Sequence, residues 1–348
     1  VTGCVFQGGA KGNVSRQIQL GVNIPVEVGA VTVNQLCSSS MRAAEVGADM
    51  IRVGRVSNAL IVGAESMTNA PYVLHKARAG YRMGPGKIED TMLYDGLVDA
   101  FYNYHMGVTT ENVNAKYGNT REEQDQLAVI SHQRAAAATK NGTFKEEMVP
   151  VEIKTKKGVT IFDYDEHVKA DTTMESLAKL KPAFKPDGGT VTAGNASGVN
   201  DGAAAALFMS GDALKNSGLK PMAKILASAT VGVDPSIMGV GPAYSIPQAL
   251  KFAGLDFKDI GYWEVNEAFA GQWLGVGKIL KADHKWDLSL DICNANGSGI
   301  ALGHPVGQTG LRLIVSGIYE AKRRGVKYLG TSLCVGGGPS MATILEIL

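Results

Sequence analysis

Two cysteines, a histidine and an asparagine, scattered through a 348-residue chain, stand at points where nucleophilic and acid–base chemistry could be built. Cys37 follows Ala30-Val31-Thr32-Val33-Asn34, which reads as a short buried strand, and precedes a helix-tolerant run from Ser38 to Val46. A thiol at such an elbow meets unpaired backbone N–H groups and the positive end of a helix dipole, and both favour thiolate over thiol. The adjacent serines would keep its approach polar. The alternative is an inert buried cysteine, and this segment alone leaves both readings open. Asn266 lies in Val265-Asn266-Glu267-Ala268-Phe269-Ala270, where a strand gives way to a helix, and a plain helix cap would explain it equally well. His304 is clamped between Gly303 and Pro305 inside the glycine-rich run Asn296–Gly310, just ahead of a helix. So many glycines would let a substrate approach the backbone closely. Cys334 leads into Gly336-Gly337-Gly338, which offers a thiol beside exposed N–H groups, the ingredients of an oxyanion hole.

The elements that would position these residues alternate between strand and helix. Residues 1–66 contain a predicted helix at Asn13–Leu20, the elbow, and a buried strand at Ser57–Gly63. Residues 67–199 are more charged and looped, with predicted helices at Asn112–Tyr117 and Arg121–Asn141. The second opens on Thr120 and Glu123 in a capping-box arrangement. The alanine-rich run Asp201–Met209 is expected to be helical and to lead back, over 200–221, into the first half. Residues 222–348 repeat the alternation, at Ala223–Val231, Ser245–Ala253, Gly261–Val265, Leu274–Leu280, Leu311–Arg323 and Tyr328–Leu333. Two α/β halves bracketing an inserted loop region are the organisation this implies.

Composition removes several function classes. A net charge of +1 argues against a broad nucleic-acid or membrane surface. No apolar stretch reaches the ~18 residues of a membrane span, and mean hydropathy is near zero. No signal peptide is evident. Cys4, Cys37, Cys293 and Cys334 include no CxxC pair, so neither a disulfide scaffold nor a zinc site is expected, and a reducing cytoplasmic setting fits. The glycine clusters lack a P-loop ending, no GxGxxG has its acidic partner, and there is no HExxH. Nucleotide cradles of those kinds and a catalytic metal are therefore not expected.

Taken together, Val33-Asn34-Gln35-Leu36-Cys37-Ser38-Ser39, Asn266-Glu267-Ala268-Phe269, Gly303-His304-Pro305 and Cys334-Val335-Gly336-Gly337-Gly338 occur in the order found in thiolases. The resemblance extends through Gly63–Met67, Asp95–Leu97, His105–Gly107, Thr192–Ser197 and Ala229–Pro235, and so over essentially the whole chain. It implies the thiolase fold, an α/β architecture of two similar halves in α-β-α-β-α layers with an inserted loop domain. By the same resemblance Cys37 would be the acyl-accepting nucleophile. His304 would take its proton and later help hold the thioester oxygen, and Cys334 would be the acid/base at the substrate α-carbon. Asn266 would place a water beside His304, and the N–H groups of Cys37 and Gly336 would cradle the acyl carbonyl oxygen. Coenzyme A contacts would fall on Leu97, His105, Met106, Phe184, Ala193, Ser197, Ala268 and Phe269, with Lys169 near the nucleotide phosphates. The substrates implied are coenzyme A thioesters, with no permanently bound cofactor and no metal. The expected reaction joins two acetyl-CoA into acetoacetyl-CoA plus coenzyme A, or runs in reverse, and the assembly the resemblance implies is a homotetramer. A longer-chain 3-ketoacyl-CoA thiolase and a non-catalytic acyl-CoA binder are the alternatives.

The chain departs from the family pattern in places. Ser38-Ser39-Ser40 stand where Gly-Ser-Gly is frequent, Gly297-Ser298-Gly299 replace Gly-Gly-Ala, and Pro339-Ser340-Met341 follow the glycines. The opening at Val1 reads as the middle of a domain, so a fragment or processed chain, without the family's first strand–helix–strand, is expected.

Overall fold

The computed structural model describes residues 1–348. Its first half is a four-stranded sheet. Thr2–Gly3 (β1) is followed by the helix Val14–Gly21 (α1), Thr32–Val33 (β2), the helix Ser39–Arg52 (α2) and Asn58–Ser66 (β3). β1 lies parallel to both β2 and β3. Asp201–Met209 (β4) closes the sheet antiparallel to β3, in unbroken register from Asn58↔Met209 to Ser66↔Asp201. Residues 67–200 therefore leave the sheet at Ser66 and return paired to it at Asp201. They carry the helices Met106–Tyr117 (α3) and Arg121–Lys140 (α4) and the small hairpins pairing Tyr72–Val73 with Glu89–Asp90 and Val151–Thr155 with Gly158–Phe162. The capping box on Thr120 and Glu123 is formed in both directions.

The helix expected at Asp201–Met209 is a strand. Alanine's local preference is weak beside a full ladder of hydrogen bonds to β3. Alternate residues Ala204, Ala206 and Phe208 turn toward the core between the sheets. Gly202 has a further reason to be small, since a Cβ there would lie 2.7 Å from the Pro305 ring. The strand expected over Ala30–Asn34 shrinks to Thr32–Val33, and Val31 is exposed.

The second half builds another four-stranded sheet from Ala223–Gly232 (β5), Tyr262–Val265 (β6), Tyr328–Cys334 (β7) and Pro339–Ile347 (β8), in the order β6-β7-β8-β5. β6 and β7 are parallel; β7 and β8 form an antiparallel hairpin around the triple glycine. The helices Pro242–Ala253 (α5) and Ala270–His284 (α6) pack on it through the largest core cluster, which includes Ile246, Leu250, Trp263 and Val276. The helix Thr309–Arg324 (α7) lies beside α2. Met41, Ala44, Ile61, Leu311, Ile314, Leu329 and Leu333 form the core where these two helices meet both halves. Each large aliphatic side chain fully buried here contributes roughly 1.5–3 kcal/mol.

How α2 and α7 touch decides where the chemistry can be. A Cβ on Gly310 would come within 2.8 Å of the Met41 nitrogen, so glycine permits the close approach. The Ser40 hydroxyl accepts from Leu311 N (2.8 Å) and donates to the Gln308 carbonyl (2.9 Å), while Ser40 N donates to the Gly307 carbonyl. The N-terminal turns of the two helices are thereby pinned together. Cys37 lies just before one and His304 just before the other.

Candidate active site

The elbow at Cys37 is a strained turn held by its neighbours. Leu36 has φ +45°, the left-handed region that a branched side chain seldom occupies, at a cost of about 1–3 kcal/mol. Its N–H donates to Asn34 Oδ1 at 2.9 Å, and its carbonyl accepts from the Ser39 hydroxyl (2.6 Å) and the Ser39 N–H (2.9 Å). Ser39 Oγ also accepts from Gln35 N (2.9 Å), and the Ser38 hydroxyl donates to the Gln35 carbonyl. Ser38, Ser39 and Ser40 are all fully buried. They fasten the elbow and do not line an approach to the sulfur, which corrects the reading made from sequence.

Cys37 itself is half-buried. Burial pushes its thiol up to about 11, against the lowering effect of the Gly336 N–H and its own N–H on the sulfur. The helix-terminus argument for a resting thiolate therefore gives way to desolvation, a tertiary effect. The Gly336 N–H is available because the turn after β7 satisfies its other groups internally: Val335 N donates to the Pro339 carbonyl and Gly338 N to the Val335 carbonyl. Gly337 and Gly338 have φ +79° and +102°, and a Cβ on Gly338 would sit 2.2 Å from the Val233 carbonyl, so this turn requires glycine.

Cys334 ends β7 and is almost completely buried, against Met106, Val191, Met238, Ala268 and Phe269. Burial first, then the nearby Cys37 sulfur, raise its thiol well above the ordinary range. The two sulfurs are thus close enough for the charge of one to disfavour the charge of the other.

His304 is buried, with its N–H donating to the Gly198 carbonyl at 3.3 Å. Its ring Nδ1 lies 2.6 Å from the Thr309 hydroxyl, and its Nε2 has no partner. Burial, helped by the Arg312 guanidinium, lowers it to about 3, so the ring is neutral. Asn266 is fully buried at the end of β6, and neither its Oδ1 nor its Nδ2 has a partner. The next helix begins at Ala270 with Phe269 as its N-cap residue, so Asn266 is no helix cap. A buried amide with both ends unsatisfied costs roughly 1–3 kcal/mol per group unless something polar meets it. Its polar atoms therefore call for a water or a substrate group as partner.

The residues expected to contact a coenzyme fall around these groups unevenly. Met106, Phe184, Ala268 and Phe269 share the apolar cluster of Cys334. His105 stacks on Phe184 at 4.4 Å between ring centroids. The Phe184 ring covers Gly107, where a Cβ would meet it at 2.2 Å. Ser197 N donates to the Ala268 carbonyl at 2.9 Å. Leu97 packs instead against the cluster of Val5, Phe6, Met67 and Val306, which Leu36 and Cys37 also border. Gly336 joins the two clusters: a Cβ there would touch both Met106 and Leu36. Ala193 is exposed, two residues beyond the cluster member Val191. Lys169 is exposed, beside His132, to whose Nδ1 its N–H donates at 3.2 Å.

Sequence reasoning missed the supports. Glu65, at the end of β3, accepts from Val5 N, Phe6 N and Gly307 N (3.0, 3.0 and 2.7 Å), tying the first sheet to the loop that carries His304. Asn294 donates to the Val265 carbonyl and to Glu267, and Ser131 donates to Glu267, bracing the Asn266 strand end. Glu65 sits inside the Gly63–Met67 stretch, but nothing local to it signals a partner at Gly307.

Family models for "Thiolase, N-terminal domain" and "Thiolase, C-terminal domain" match residues 1–212 and 219–347. The chain is 47% identical to the acetyl-CoA acetyltransferase of Syntrophomonas wolfei over all of its own length and 87% of that protein's. A solved structure of acetyl-CoA acetyltransferase from Syntrophomonas wolfei superposes with a TM-score of 0.98, at 49% identity, covering the whole chain and 87% of the solved one. Human mitochondrial 3-ketoacyl-CoA thiolase in complex with CoA superposes at 0.94, with 42% identity over the whole chain and 85% of its own.

Proposed function

This chain belongs to the thiolase family and is an acyltransferase, and on that premise we propose that it is an acetyl-CoA C-acetyltransferase. Cys37 is the nucleophile. Its sulfur attacks the thioester carbonyl as His304 Nε2 takes the thiol proton, and the C–S bond to coenzyme A breaks. The carbonyl oxygen gains charge between the N–H groups of Cys37 and Gly336, each worth roughly 2.7–4 kcal/mol of barrier. A second acetyl-CoA binds, Cys334 removes its α-proton, and Asn266, through a water beside His304, meets the enolate oxygen. The carbanion attacks the acetyl group on Cys37 and expels the sulfur. Over the cycle one α-proton leaves, one proton reaches the departing coenzyme A sulfur, and both cysteines end as thiols. Because each acetyl-CoA reacts in a separate half-reaction, the kinetics are ping-pong.

The observation that carries this reading is that Gly336, in the turn begun by the second thiol, sits where a Cβ would meet both Leu36 of the Cys37 elbow and Met106 of the Cys334 cluster, so the two thiols border one site. A raised Cys334 suits its role: a thiolate of high proton affinity matches a mildly acidic C–H. Residues 67–199 would form the inserted domain, bringing His105, Met106, Phe184, Ala193 and Ser197 to the coenzyme A arm. Lys169, exposed, would meet the phosphates as a point charge. Exposed Tyr72, Leu74, Met83 and Ile88 on and around the Tyr72–Asp90 hairpin support assembly with further copies of the chain, as a homotetramer. A cytoplasmic setting is consistent with four free cysteines and with the lack of any helix long and apolar enough to cross a membrane.

The likeness to 3-ketoacyl-CoA thiolase favours a second reading, cleavage of longer chains. Thiolysis of 3-ketoacyl-CoAs of increasing length separates the two. Acetoacetyl-CoA should be cleaved fastest, and a strong preference for long chains would refute the proposal.

A further inference from the structure

We infer that Thr309 is a positioning residue that fixes the tautomer of His304, holding the ring proton on Nδ1 and leaving Nε2 as a bare lone pair. The argument is a count of protons. A threonine hydroxyl has one hydrogen and two acceptor lone pairs, whereas a carbonyl only accepts. Thr309 Oγ1 lies 2.9 Å from the Pro305 carbonyl and 2.6 Å from His304 Nδ1. Its single hydrogen satisfies the Pro305 oxygen, so the short contact to Nδ1 requires a proton on the ring nitrogen. The opposite assignment, with the hydroxyl donating to Nδ1, sets the Thr309 and Pro305 oxygens against each other with no hydrogen between them. Thr309 is completely buried, so no water separates its hydroxyl from the Pro305 carbonyl.

The backbone makes the contact nearly automatic. Thr309 opens α7, its own N–H donates to the same Pro305 carbonyl, and Gln308 N does likewise. His304 and Thr309 thus flank one tight turn, and the hydroxyl reaches the ring because the Pro305 carbonyl orients it. A neutral imidazole is a base at one nitrogen only, and the nitrogen that is free depends on what the other one bonds. The role rests on the proposed function, in which Nε2 takes the Cys37 proton.

The test has two arms. Nitrogen NMR of the full chain labelled at histidine, with the His304 signal assigned by its loss in His304→Asn, should give a protonated Nδ1 and an unprotonated Nε2. The reverse pattern would overturn the assignment. In single-turnover acetylation of Cys37 by acetyl-CoA, Thr309→Val, close in shape, should be slower on the order of a hundredfold, within the range of general-base assistance. Thr309→Ser should restore most of the rate. A valine variant that acetylates at the wild-type rate would overturn the role, and if that variant fails to fold, the NMR arm still decides. Wild-type protein with the expected tautomer but no acetyl on Cys37 would refute the proposed function while leaving the assignment of the ring proton intact.

Discussion

The two thiols of the site differ in what surrounds them. Cys37 sits half-buried on a strained elbow, fed by backbone N–H groups and backed by a neutral imidazole's loop. Cys334 sits at the end of a central strand, packed in apolar side chains, with only a turn of glycines beyond it. Both are thiols at rest, and neither is a ready-made thiolate. What separates them is the supply of donors. In the proposed reaction the first would shed charge onto a carbonyl oxygen met by N–H groups. The second carries a proton that leaves reluctantly, and its conjugate base is correspondingly hungry. On the proposed function one site would thus make a leaving and accepting group, the other a strong base, from the same side chain.

That contrast can be broken by deleting either member. Cys37→Ala should abolish acyl-enzyme formation outright, read as loss of the acetyl mass on the peptide containing position 37. Cys334→Ala should reduce steady-state condensation and thiolysis on the order of 10²–10⁴-fold, the range of a lost acid/base; wild-type turnover would reject its role. A gentler probe sharpens the comparison without removing either sulfur. Iodoacetamide should label Cys37 before Cys334, and the rate should climb about tenfold per pH unit from about pH 7 to about pH 9, because a thiol held near 11 exposes ever more thiolate across that window. A plateau near neutrality would mean that the elbow's N–H groups outweigh burial.

Much of this was legible in the residues. Asn13 and Thr120 cap the helices they were expected to open, and the elbow, the His304 loop and the triple-glycine turn lie where glycine, proline and small residues placed them. What escaped was non-local. Asp201–Met209 follows its partner strand and not alanine's own preference. The resting state of Cys37 depends on atoms brought from Gly336, almost three hundred positions away in the chain, and on how much water the assembled layers exclude. Leu36 gives no hint of a left-handed backbone, since leucine rarely adopts one and only the surrounding hydrogen bonds hold it there. Thr309 is visible in the sequence as a residue five after His304, yet its role follows only from seeing Pro305 on its other side.

The most direct test of divided labour between the sulfurs is to mix Cys334→Ala protein with labelled acetyl-CoA and follow the label through peptide mapping and product analysis. The account predicts one acetyl group on Cys37, released coenzyme A, and almost no acetoacetyl-CoA. Label on any other residue, or product formed at the wild-type rate, would contradict it.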